Sequence, residues 1–149
     1  MEEARQHPAV IPFMRIPFGC MTRSAGVLVA ALAVATPALA IDVPSGQPVD
    51  LQEVLVEDMG SETWVRFRFV APDIAREGGS VGFKTATSDM AFLCEGLALK
   101  YLAEYALTAQ VVVISLADRE TEFGTASPDV TQFFESYRVS DNTCIWEGL

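Results

Sequence analysis

The sequence predicts an α+β domain: one amphipathic helix packed on a mainly antiparallel sheet of about five strands. Three observations carry this. Thr63–Val70 (TWVRFRFV) alternates with the two-residue period of a half-buried strand. Between Met90 and Tyr105 the apolar residues recur three and four apart, the spacing of a helix with one buried stripe. Residues 108–116 (TAQVVVISL) are almost continuously apolar. That suits a central strand covered on both faces, or a dimer interface.

The chain opens on a different kind of segment. Residues 25–40 (AGVLVAALAVATPALA) form an uncharged run of 16 residues. Arg15 and Arg23 precede it, and Ala38-Leu39-Ala40 closes it with the small-x-small pattern that fits the narrow pockets of a signal peptidase. A membrane-spanning helix needs about 20 apolar residues, and a buried helix of a small domain would show a polar face. Residues 1–40 are therefore read as a secretory signal cleaved after Ala40, which leaves residues 41–149 as a single domain in the periplasm or secreted. Met14 and Met21 are alternative starts that give a more basic leader. Cys20 lies ahead of the apolar run, where it is not placed for lipidation.

The remaining elements follow in order. Residues 41–48 (IDVPSGQP) contain two prolines and a glycine and are read as an irregular lead-in. Residues 49–57 (VDLQEVLVE) form a first strand, paired antiparallel with Thr63–Val70, whose core face is Val65, Phe67 and Phe69. Arg66 and Arg68 point the other way, opposite the acidic first strand. A short helical turn is expected after Pro72, and a brief third strand over residues 80–85 (SVGFKT). Thr87 or Ser88 is expected to cap the helix. Its stripe is Met90, Leu93, Cys94, Leu97, Tyr101, Leu102 and Tyr105, and Gly96 marks a close approach of backbone to a neighbour. In residues 128–139 helix spacing competes with strand spacing. A strand hairpin is favoured, turning at Ser140-Asp141-Asn142 and pairing with residues 143–147.

Residues 41–149 carry 7 Lys and Arg against 18 Asp and Glu, a net charge of −11. That field repels nucleic acid and anionic lipid, so neither nucleic acid nor membrane is an expected partner of the cleaved protein. The one histidine, His7, lies in the leader, which removes the usual zinc sites and His-dependent triads. Two cysteines remain, Cys94 and Cys144. In an oxidising compartment they are expected to form a disulfide closing a loop of about 50 residues, worth roughly 4 kcal/mol. The alternative is two unpaired buried thiols.

Other chemistry is sparse. C-x-x-C, G-x-S-x-G and a glycine-rich phosphate cradle are all absent from the sequence. Asp118, Glu120 and Glu122 could chelate calcium, but the twelve-residue loop pattern is missing and Arg119 sits among them, so a solvated loop is the simpler reading. Glu95 or Glu104 with Glu122 is the one imaginable pair for carboxylate hydrolysis. No catalytic residue, metal ligand or cofactor is assigned. The aromatic complement is large for a small core, and the adjacent Phe133 and Phe134 are its best candidates for a binding surface. On a strand they face opposite ways, so one of them needs cover from outside the main core.

Residues 111–124 (VVVISLADRETEFG), 131–139 (TQFFESYRV) and 144–147 (CIWE), with the Cys94 helix and the leader, resemble a family of short uncharacterised exported proteins of alphaproteobacteria. That resemblance implies a periplasmic protein with the same two cysteines and transfers no catalytic residue. Two functional classes follow from the whole reading: a non-enzymatic periplasmic interaction or accessory protein that binds another periplasmic protein, and a small carboxylate-dependent hydrolase.

Overall fold

The computed structural model describes residues 40–148; the leader reading, up to its last residue, falls outside them. A five-stranded sheet runs in the spatial order β1-β2-β3-β4-β5, which is also chain order. The strands are β1 (Asp50–Asp58), β2 (Thr63–Val70), β3 (Val111–Ala117), β4 (Gln132–Ser140) and β5 (Thr143–Trp146). Every neighbouring pair is antiparallel except β2 and β3. A parallel pair needs a crossover, and the long helix supplies it. This helix is α1 (Phe83–Leu93), a π turn (Cys94–Ala98) and α2 (Leu99–Glu104) in unbroken succession.

The α+β arrangement follows from where the apolar side chains point. Val65, Phe67 and Phe69 of β2 and Val112, Ile114 and Leu116 of β3 are buried in one cluster with Met90, Leu93, Cys94, Ala98 and Leu102 of the helix. Arg66 and Arg68 lie on the opposite face, as the alternation of β2 predicts, with Arg68 opposite Glu53 of β1. Gln52 is the extra residue of a bulge between Leu51 and Glu53, and such a residue is free to aim its side chain elsewhere.

The hairpin β4–β5 settles residues 132–140 as strand. Its two-residue turn, Asp141-Asn142, has φ of 50° and 56°, the left-handed pair that a type I′ turn requires and that Asp and Asn tolerate better than most residues.

Four local expectations are corrected. Residues 80–85 are not a strand: the chain folds back, Val81 N–H donates to the Asp73 carbonyl at 2.9 Å, and Phe83 opens the helix. Gly79 permits this fold, because a Cβ there would collide with the carbonyl oxygens of Ala75 and Asp73. The helix is capped by neither Thr87 nor Ser88. Gly82 is its N-cap, without a side-chain bond, and the Thr87 hydroxyl donates back to the Phe83 carbonyl at 2.9 Å. Finally, the buried stripe shifts by one residue after Cys94. Ala98, Leu99 and Leu102 are buried, Leu97 and Tyr101 are half-buried, and Tyr105 is exposed. A π turn holds one residue more than an α turn and rotates everything downstream. Gly96 sits inside this turn, and a Cβ there would meet only the Phe92 ring, at the ordinary distance of 3.8 Å. It marks no close approach.

Two ties hold the helix. Cys94 and Cys144 form a disulfide across 50 residues, with Cα atoms 6.2 Å apart. Beside it, Glu95 accepts the Cys144 backbone N–H at 2.8 Å, so the short edge strand β5 is fixed to the helix by a covalent and a charged contact. At the other end, the fully buried Asp89 accepts bonds from Ser45 N–H (2.9 Å), Ser45 Oγ (2.6 Å) and Gln47 Nε2 (2.7 Å). This captures the lead-in, and Ile41 N–H donates to the Val49 carbonyl at 2.8 Å.

Cys94→Ala, or reduction of the oxidised protein, is expected to lower the melting temperature by about 10 °C or more, since a loop of this length contributes roughly 4 kcal/mol at most. Intact mass after denaturing alkylation, with and without reductant, checks the bond. Two free thiols in the native protein, or an unchanged melting temperature, would contradict it.

Candidate functional site

The helix covers one face of the sheet. Across the other face, strand register sets rows of side chains. One row reads Glu53, Arg68, Ser115 and Phe134; the next reads Leu55, Arg66, Val113 and Ser136; a third reads Glu57, Trp64, Val111 and Arg138. Val111, Val113 and Ala117 of the central strand are buried here without a second layer of secondary structure among the described residues. Their cross-strand neighbours are Trp64, Arg66 and Val70 on one side and Arg138, Ser136 and Gln132 on the other, and the long ones among them, the arginines and Trp64, can cover apolar surface with their stems.

The loop between β3 and β4 completes this face, and Arg68 holds it. Arg68 is only 5% exposed. It pairs with Glu53 through Nη1 and donates through Nη2 to the carbonyl and hydroxyl of Thr121. Gln52, the bulge residue, donates to the same carbonyl at 2.7 Å, and Gln132 donates to the same hydroxyl at 3.2 Å. The start of the loop is fixed by Asp118, which accepts Arg119 Nε at 2.7 Å and Thr131 N–H at 3.0 Å. The Arg119 bond, against the opposing effect of burial and with help from Thr131, holds the Asp118 carboxyl below its ordinary pKa. Pinned in this way, the loop carries the Phe123 ring to 5.5 Å from the Arg66 guanidinium and 5.6 Å from that of Arg68, within cation–π range.

The result is a small cavity of about 200 Å³ lined by Arg66, Arg68, Ser115, Glu122, Phe123, Gln132 and Phe134. Phe134 is 53% exposed and Phe123 48% exposed. Arg66 is half-buried and bonds Glu57 through Nε at 3.0 Å; among the described residues its terminal nitrogens take no partner. Further along the face, Arg138 bridges Glu62 (2.9 Å) and Glu147 (2.6 Å). Its bond, with one from the Trp64 indole, lowers the Glu62 pKa.

The structure separates the two phenylalanines. Phe134 projects onto the outer face. Phe133 packs at the margin of the core, its ring edge-on to Phe83 with centroids 5.3 Å apart. Both line a second, wider groove of about 680 Å³ beside residues 79–82. The carboxylates considered for hydrolysis are not brought together: Glu95 belongs to the helix and bonds β5, while Glu122 lies by the cavity on the opposite face. Asp118 is committed to Arg119 and Thr131, and no group of three or more His, Cys, Asp or Glu able to hold a metal occurs among the described residues. The sequence offers the outward pair Arg66 and Arg68 as a signal for this site. It does not show that Phe123 closes over them, because that depends on a contact between Arg68 and Thr121, 53 positions apart.

No helix among the described residues is long and apolar enough to cross a membrane. A family model described as a family of unknown function (DUF6497) matches residues 24–149. No curated protein and no solved structure matches the chain.

Proposed function

The chain belongs to this family of unknown function, DUF6497, and from that premise we propose that it is an exported, non-enzymatic interaction protein that binds another periplasmic protein through the outer face of its sheet. The observation that carries the reading is Phe134: a large apolar ring more than half exposed on the outer face of β4, one strand in from the edge, with a second exposed ring held beside it by a pinned loop. An exposed aromatic on a fixed scaffold is the kind of residue that anchors protein interfaces. The disulfide supports export, since such a bond persists in an oxidising compartment.

The export part is checked by N-terminal sequencing of protein recovered from its native cell, which is expected to begin at Ile41. A protein that retains residues 25–40 in the cytoplasm would contradict it. The binding part is checked by comparing two variants. Phe134→Ala is expected to leave the melting temperature within a few degrees of the parent and to abolish recovery of the co-purifying partner. Phe133→Ala removes a packed ring and is expected to cost about 2 kcal/mol or more of stability. A Phe134→Ala protein that retains its partner would overturn the proposal.

A further inference from the structure

We propose that the cavity between Arg66, Phe123 and Phe134 receives the C-terminal residue of a partner polypeptide, with its α-carboxylate on Arg66 and its apolar side chain against the two rings. This rests on the reading of the outer face as a protein-binding surface and names what that surface recognises.

Size comes first. At about 200 Å³ the cavity falls below the roughly 300–1,000 Å³ of small-molecule and cofactor sites, so it suits one residue rather than a free cofactor. Charge comes second. Both terminal nitrogens of Arg68 are engaged, by Glu53 and Thr121, whereas Arg66, another lining residue, bonds Glu57 through Nε and has no partner for its terminal nitrogens among the described residues. A guanidinium with spare donors, half-buried and with an aromatic ring at 5.5 Å, is suited to a carboxylate, which it can hold through paired, charge-assisted hydrogen bonds. The Ser115 hydroxyl in the cavity wall is a further donor.

The apolar walls choose among carboxylates. An acidic side chain would bring charge but leave Phe123 and Phe134 without a partner. A run of acidic residues would meet a domain that carries −11 of its own. A chain terminus with an apolar last residue brings one carboxylate and one apolar group on the same α-carbon, which matches a cavity where the terminal nitrogens of Arg66 stand beside two exposed rings and where Glu122, also in the lining, disfavours any further negative charge.

The test uses the full oxidised protein and two probes, N-acetyl-Ala-Ala-Leu as the free acid and the same peptide as its C-terminal amide. Binding is followed by calorimetric titration and by amide chemical-shift mapping. The acid is expected to bind saturably, with shifts centred on residues 66, 115, 123 and 134, and the amide about tenfold more weakly or not at all. Arg66→Gln is expected to weaken the acid about tenfold and to leave the amide unchanged. Should Arg66→Gln fail to fold, Phe123→Ala, in an exposed loop, serves instead and is expected to weaken the acid severalfold. Equal binding of acid and amide, no binding by either, or shifts confined to the helix side would overturn the inference. If Phe134→Ala still abolishes capture of the partner in that case, protein binding through this face stands and only the carboxylate specificity fails. If Phe134→Ala retains the partner, the parent reading fails whatever the peptides do.

Discussion

One helix can shield only one face of a five-stranded sheet, and most of this structure is arranged around that constraint. The helix is spent as the crossover that makes β2 and β3 parallel, and its apolar stripe seals Val65, Phe67, Ile114 and Leu116. Among the described residues no helix lies over the other face, yet β3 is apolar on both: Val113 is 2% exposed. A central strand that dry without a second layer needs cover from its neighbours. Arginines, aromatics and a loop pinned by Arg68 provide it. The candidate site follows from this improvised cover, because a loop that must lie on the sheet also brings Phe123 over the arginines and leaves Phe134 beside it, uncovered.

The ties on the helix keep this geometry fixed. The disulfide and Glu95 bind β5, the shortest strand and a sheet edge, to the π turn. A short strand at a sheet edge has ladder hydrogen bonds on one side only, and these ties hold it in place. Asp89 draws in the lead-in with three hydrogen bonds; a buried carboxylate with that many donors is stabilised without a cation. Both ties lie on the helix side, whereas the outer face carries the ion pairs of Arg66 with Glu57 and of Arg138 with Glu62 and Glu147, besides the bonds that position its loop.

Much of this was legible in the sequence where one local period decides. TWVRFRFV assigns its own faces, because a strand's side chains alternate whatever lies around them. Asp141-Asn142 announces a tight turn for the same local reason. The two cysteines needed only their number and the expectation of an oxidising compartment. The failures occur where tertiary structure overrides a local pattern. The helix stripe reads correctly to Cys94 and then slips, since a π turn is set by what the helix must reach rather than by composition. SVGFKT has the apolar content of a short strand, but the glycines around it let the chain fold back and start a helix at Phe83. Phe134 was identifiable as half of a pair that must split. Phe123 was one aromatic among a dozen, and only the Arg68–Thr121 contact singles it out.

The central claim is that this protein meets its partner with the outer face of the sheet and not with the helix. Site-specific photocrosslinking in the native cell tests it most directly, with a photoreactive phenylalanine analogue placed at position 134 in one strain and at position 92, on the exposed side of the helix, in another. The account predicts a discrete crosslinked partner from position 134 and none from position 92. Adducts from position 92 alone, or identical adducts from both, would contradict it.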